Sequence, residues 1–385
     1  MRNGKNILAA LIFSLCSAKS FAATKTLTVG VSFRLNDAYN NSVRSLMSGV
    51  ETAKAEFEKD HPGTVIQLKV LAHGADLASV NGVADKFISE KISAVIGGEM
   101  SEESLVFGDR LGAKKIVFFT PTSSNPKVTY DKPFVFSACF SDRAVATEMA
   151  RYMKENLKPT AVGVIQNISS PYSDYLSNRF AETFSRMIAQ NPKDRPLVLV
   201  ERVLRRTLDF SKQIKLFKDN NVSHVAIFSH DADVIQFVVQ AEEQKFFPVY
   251  MGSDGWGSNQ YVYEKFVKES KNGAKFVAIR NSYWKEDAEN PIAKRFKSAY
   301  KKKYNRNPEA WSAVAFDTAW ILFGAMSRAK DPNSGEDIRK ELKKTSGVSL
   351  VTTDSFSFGE DNSPRKDLYL YRISKDGIQY EATLK

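Results

Sequence analysis

The 385 residues, 43% of them hydrophobic, are enough for two or more domains around a sizeable core, and with only two cysteines folding has to rest on that core. The net charge of +11 is dispersed: its single run of three basic residues, Lys301-Lys302-Lys303, lies in a helical pattern beside Tyr300 and Tyr304 and reads as a solvated helix face. No recognition motif accompanies it, so the run argues for a solvated face over nucleic-acid binding.

At the start of the chain Arg2 and Lys5 precede an apolar stretch, Ile7 to Leu15, and then small residues ending in Ser20-Phe21-Ala22. This is the layout of a secretory signal cleaved after Ala22. The stretch is too short to span a bilayer, and no later segment approaches eighteen uncharged apolar residues, so the expectation is a soluble, exported protein. Leu15 stands before Cys16 where a lipid-attachment signal wants a small residue, which favours cleavage over anchoring. Cleavage there removes Arg2, Lys5 and Lys19 with no acid, lowering the charge from +11 to +8. Cys139 is then the only thiol, and an internal disulfide is impossible.

From Leu27 strand-like and helix-like segments alternate. Val29 to Phe33 reads as a strand, and Val43, Leu46, Met47, Val50, Ala53 and Phe57 form one apolar helix stripe. A strand over Val65 to Leu71, a helix near Leu77 to Ser89, a strand at Ile92 to Ile96, a helix from Ser101 and a strand at Ile116 to Phe119 follow. Repeated β-α units predict a parallel sheet with helices on both sides. A second series begins after Cys139-Phe140-Ser141-Asp142. It has strands at Ala161 to Ile165, Leu197 to Val203, Val225 to Phe228 and Val249 to Met251, with helices between them. Beyond Phe276 to Ile279 the pattern is helical, over Asn290 to Tyr304 and Ala313 to Ala329, and then alternates like a strand over Asp367 to Ile373. Late helices must pack on a sheet already laid down. The simplest path returns the chain to the first half and crosses again, so that several segments form a hinge between two lobes. The expected division is residues 23–141 with 280–350, and 142–279 with 351–385.

Two buried-strand patterns end in bursts of small hydroxyl residues. Ile92 to Gly98 leads to Ser101, and Ile116 to Phe119 leads to Thr120-Pro121-Thr122-Ser123-Ser124-Asn125-Pro126. In open α/β sheets ligands gather at the carboxyl ends of such strands, and hydroxyls with free amides there suit a small anion.

These pieces, with Ser170-Pro171-Tyr172-Ser173, Tyr250-Met251-Gly252-Ser253-Asp254-Gly255 and Ala315-Phe316-Asp317-Thr318-Ala319, resemble in order and spacing the type I periplasmic solute-binding proteins of ABC transporters, the class that includes branched-chain amino-acid receptors. The likeness covers nearly the whole chain after residue 22. It implies an α/β fold of two Rossmann-like lobes joined by a multi-strand hinge, with the ligand in the cleft between them. It implies no catalysis, no metal and no cofactor, a monomer in the periplasm, and delivery of a small molecule to an inner-membrane ABC permease.

By position in the family pattern, Ser101 and Ser124 would offer hydroxyls to a ligand carboxylate, Thr122 a carbonyl to its ammonium, and Asp254 the paired acid from the second lobe. Ser101 also reads as a plain helix N-cap, and the neighbouring Glu102 and Glu103 would repel an anion unless they face solvent. Gly252 and Gly255 leave Asp254 room to project. Tyr39 and Tyr172 follow strand ends in matching places of the two lobes and could close over the ligand. His230 or Asp231 stands where the family has another aromatic contact, which with Arg34 and Asn36 points away from a branched-chain ligand and toward a polar one. Trp256 either lines the pocket or packs beneath the loop.

A hydrolase is the rival from another class, but no Gly-x-Ser-x-Gly elbow occurs, and His61, His73 and His224 sit in no motif. His-Glu-x-x-His, cysteine-pair and calcium-loop spacings are absent, and Gly97-Gly98 lacks the further glycine and lysine of a phosphate loop. A sensory module reporting to a membrane receptor would use the same pocket as a transport receptor.

Overall fold

The computed structural model describes residues 24–34, 40–189 and 196–384. The expected signal segment with its cleavage site, Asn36 and Tyr39 lie outside the described residues.

The first sheet contains β1 (Lys25–Ser32), β2 (Thr64–Val70), β3 (Ala94–Gly97), β4 (Val117–Thr120) and β5 (Val135–Ser137) in the order β2-β1-β3-β4-β5, all parallel. The continuous apolar runs of β3 and β4 are buried along their whole length, as strands covered on both faces must be. Three helices alternate with these strands: α1 (Asn40–Asp60), α2 (Leu77–Ser89) and α3 (Ser101–Gly112). The stripe of α1 buries Leu46, Val50, Ala53 and Phe57.

The second series opens with α4 (Asp142–Tyr152), β6 (Ala161–Asn167), α5 (Pro171–Ile188), β7 (Leu197–Val203), α6 (Ser211–Asp219), β8 (His224–Ile227), α7 (Asp231–Glu243) and β9 (Val249–Gly252). It continues with α8 (Asn259–Tyr263) and β10 (Val277–Ser282). After β10 the chain returns to the first sheet as α9 (Pro291–Tyr304), α10 (Ala310–Arg328) and α11 (Gly335–Lys343). Arg295 of α9 donates to Glu56 at 2.6 Å, and a Cβ on Gly49 of α1 would stand 2.2 Å from the Ser312 carbonyl of α10. Only glycine lets those two helices approach so closely.

A short hairpin, β11 (Ser357–Phe358) and β12 (Pro364–Arg365), precedes β13 (Leu368–Ser374) and β14 (Gly377–Leu384). The second sheet runs β14-β13-β10-β9-β8-β6-β7, parallel except where β13 joins β10 and β14. The fold is therefore the expected pair of α/β lobes. Between the sheets the chain crosses three times, between β5 and α4, between β10 and α9, and between β12 and β13.

Local features account for most differences from the sequence reading. β5 has three residues, too few to show a period, and α8 five. β14 follows a turn closed by Gly377 at φ +104° and was not foreseen; β13 was, though not its antiparallel pairing. Phe358 packs on Phe119 and Phe136, with ring centroids 5.7 and 5.1 Å away, and Asn362 donates to the Lys132 carbonyl. The stretch around these residues thus packs against the first sheet rather than the second, because Phe358 packs on aromatic side chains of β4 and β5.

Candidate functional site

The first-lobe wall begins where β3 ends. Gly98 takes φ +69°, and a Cβ there would lie 2.2 Å from the Ser104 hydroxyl. Its carbonyl accepts three hydroxyls: Thr120 at 2.7 Å, Ser104 at 3.0 Å and Ser123 at 3.1 Å. The Thr122 hydroxyl donates to the Glu99 carbonyl at 2.9 Å. Much of the hydroxyl burst read as ligand contacts therefore satisfies buried carbonyls and ties β3 to β4.

Ser101 sits one residue inside α3, whose N-cap is Met100, so the plain-cap reading of Ser101 does not hold. Glu103 reaches back to accept the Met100 N–H at 3.2 Å. Glu102 and Glu103 do not face solvent, the condition under which the sequence reading spared an anion; each is instead paired with an arginine. Glu103 is buried and accepts from Arg34 Nε at 2.6 Å, and Glu102 accepts from Arg205 of the other lobe at 2.6 Å. Burial raises the Glu102 carboxyl, but the Arg205 hydrogen bond, a backbone N–H and the Arg205 charge together outweigh it and leave the group below its ordinary value.

The second-lobe wall follows β9. Asp254, 6% exposed, opens a short turn that ends at Trp256. One carboxylate oxygen accepts Asn281 Nδ2 at 3.1 Å and the other accepts the Tyr283 hydroxyl. Buried Arg280 clamps the loop, donating to the carbonyls of Ser253 at 3.1 Å and Gly257 at 2.7 Å. Desolvation pulls its guanidinium down to about 10, against the charge of Asp254. Trp256 is fully buried and donates to the Ile227 carbonyl at 2.8 Å, so it packs beneath the loop. A Cβ on Gly252 would lie 2.5 Å from its indole, and one on Gly255 3.0 Å from the Tyr172 ring. The two glycines thus admit rings rather than free Asp254.

The walls meet around one cavity of about 20 Å³, lined by Ser101, Thr122, Ser124, Tyr172, His230 and Asp254. That is room for about one water, so the lobes stand closed. Tyr172 and His230 lie side by side with ring centroids 5.2 Å apart. A wider cavity of about 210 Å³ opens toward the mouth and shares Met100, His230, Gly255 and Trp311 with the first. Asn125 Nδ2 donates across the cleft to the Pro171 carbonyl at 2.6 Å, parallel in effect to the Glu102–Arg205 bridge. Sequence reasoning missed Glu99, Tyr283 and Trp311, which also line the inner cavity. Glu99 was within reach, as an acid two residues past a buried strand; Trp311 comes from a helix that only the return path brings to the cleft.

A family model described as periplasmic binding protein matches residues 26–378. The chain belongs to the periplasmic binding protein family. Members of this family are solute-binding proteins. This member is similar to the Leu/Ile/Val-binding protein homolog 2 of Brucella abortus (strain 2308), 23% identical over 376 residues that cover 94% of this chain and 95% of that one. Among solved structures it resembles the leucine binding protein of Thermotoga maritima, with a TM-score of 0.82 and 23% identity over 93% of this chain and 99% of the other. It also resembles a solute binding protein of R. palustris in complex with 4-hydroxybenzoate, with a TM-score of 0.80, 15% identity, and 94% and 97% covered. At such identities the structural likeness speaks for the fold.

Proposed function

We propose that this periplasmic binding protein is an exported receptor that captures an amino acid, or a similar small polar metabolite, by hinge closure and delivers it to an inner-membrane ABC permease. The observation that carries the reading is the placement of a buried carboxylate, Asp254, across one cavity from the hydroxyls of Ser101 and Ser124 and the backbone of Thr122. A zwitterion has the matching poles. Its carboxylate would meet Ser101, Ser124 and the start of α3, and its ammonium Asp254 and the Thr122 carbonyl. Tyr172 and His230 flank it. Because the ligand touches both lobes, its preference for the closed arrangement sets the population shift.

In this reading the signal is removed after Ala22, and the receptor acts in the periplasm as a monomer without cofactor or metal. No described helix is long and apolar enough to cross a membrane. The lobes are best divided at the three crossings, so that β10 belongs to the second lobe and the β11–β12 hairpin to the first. This moves residues 280–282 and 351–365 relative to the division read from sequence.

The test is calorimetry with ligands found by thermal-shift screening of amino acids, peptides, polyamines and organic acids. Asp254→Asn keeps the shape beside Tyr283 and Asn281 but removes the charge. It should weaken binding by about 2–5 kcal/mol, the usual cost of breaking a buried charge pair. Undiminished affinity would reject Asp254 as the ammonium partner.

A further inference from the structure

We infer that the ligand carries a second, distal cationic group and that Glu99 receives it. The inference rests on the amino-acid receptor reading. Glu99 is 4% exposed and lines the same inner cavity as Asp254. One of its carboxylate oxygens accepts the Arg34 backbone N–H at 3.3 Å, while Oε1 is buried with no hydrogen-bond partner among the described residues. A carboxylate oxygen in that position leaves a desolvation cost unanswered until a donor arrives.

The nearby groups do not supply that donor. Arg34 directs its Nε to Glu103 at 2.6 Å, and the Glu103 carboxylate lies 3.4 Å from His73. His73 is held neutral: burial and the Arg34 charge pull it down to about 4. Two buried acids thus share one guanidinium. Burial, with the neighbouring Glu103, pushes the Glu99 carboxyl up to about 8, so its charged form is costly while it lacks a partner. An ammonium or guanidinium placed at Oε1 would answer that cost and give each acid a cation. An aliphatic side chain would leave the oxygen buried and unanswered, and a ligand's own acid would be repelled.

The outer cavity supports the same polarity independently. It is lined by Asp231 and Glu309 and, among the described residues, by no lysine or arginine, in a chain whose net charge is +11. Trp311 and Tyr261 on its walls offer ring faces to a passing cation. The carboxylates that line the two cavities, Asp231, Glu309, Glu99 and Asp254, give the route from mouth to Asp254 an acidic character. The chemical class that fits is an α-amino acid ending in an ammonium or guanidinium.

The experiment is isothermal calorimetry of the whole exported protein with arginine, lysine and ornithine against leucine, valine, glutamine and glutamate, repeated on Glu99→Gln and Glu99→Leu. The expected result is at least one basic amino acid bound about 100-fold more tightly than leucine or glutamine. Glu99→Gln should lose at least 30-fold of that affinity at unchanged melting temperature, and Glu99→Leu should reverse the preference toward leucine. A neutral amino acid bound more tightly than every basic one overturns the inference and leaves the receptor reading standing. A basic ligand bound equally well by Glu99→Gln overturns the role of Glu99. Binding of none of them overturns the inference together with the amino-acid form of the receptor reading.

Discussion

At the first-lobe wall three hydroxyls converge on the Gly98 carbonyl and tie two strand ends together, whereas at the second-lobe wall Asp254 is held by side chains, Asn281 and Tyr283, over the indole of Trp256. The same kind of strand end is thus stiffened in two ways. The first wall is set by backbone geometry, and its remaining polar groups are few and fixed. The second is set by packing under a loop and by charges that must balance, so its shape depends on one ring and its chemistry on Asp254 with Arg280. The difference teaches where each wall is vulnerable, the first to an added methyl group and the second to a lost ring.

Three substitutions test that contrast. Trp256→Ala removes a fully buried ring from beneath the Asp254 loop, and urea denaturation should show a loss of about 3–5 kcal/mol together with weakened binding. A loss under about 1 kcal/mol on the same scale would mean that the loop stands without its ring, and the contrast would fail. Gly98→Ala puts a Cβ against the Ser104 hydroxyl at a left-handed backbone, for a cost of about 1–3 kcal/mol. Wild-type stability in that variant would show that the first wall is softer than its hydrogen bonds suggest.

The smallest effect belongs to the bridge between the walls. Arg205 is half exposed and its pair with Glu102 should contribute about 0–1 kcal/mol, so Arg205→Ala should leave unfolding unchanged and lower ligand affinity only a few-fold. Its signature is in the pH dependence. The bridge holds the Glu102 carboxyl below its ordinary value in the closed arrangement, so the contribution is present above the unpaired value and is lost as pH falls through the lowered one. Ligand affinity of the wild type should therefore drop on acidification more than that of Arg205→Ala. Parallel pH profiles would show that the contact does not contribute to closure.

The order and kind of most elements were legible because each rests on a local period. The α1 stripe, the buried runs of β3 and β4 and the strand over β7 could be read from neighbours within a few residues. Elements without a period, such as β5, were not. In the site the residue types at the strand ends were legible, and the structure gathers Ser101, Thr122, Ser124, Tyr172, His230 and Asp254 around one cavity. Their hydrogen-bond partners were not legible. Nothing near Thr120 in the chain says that its hydroxyl belongs to Gly98, and Trp256 could be assigned beneath its loop only once the Ile227 carbonyl was in place.

The amino-acid sequence by itself determined the alternation of strands and helices and the polar endings of the strands, since apolar periodicity and turn chemistry act between residues close along the chain. Only the tertiary structure decided which of those polar groups face one another. Arg34 and Glu103 are 69 residues apart and Arg205 and Glu102 are 103 apart, so each partner is chosen by how the lobes pack. The desolvation that makes Glu99 chemically demanding has the same origin, because residues distant along the chain bury its carboxylate.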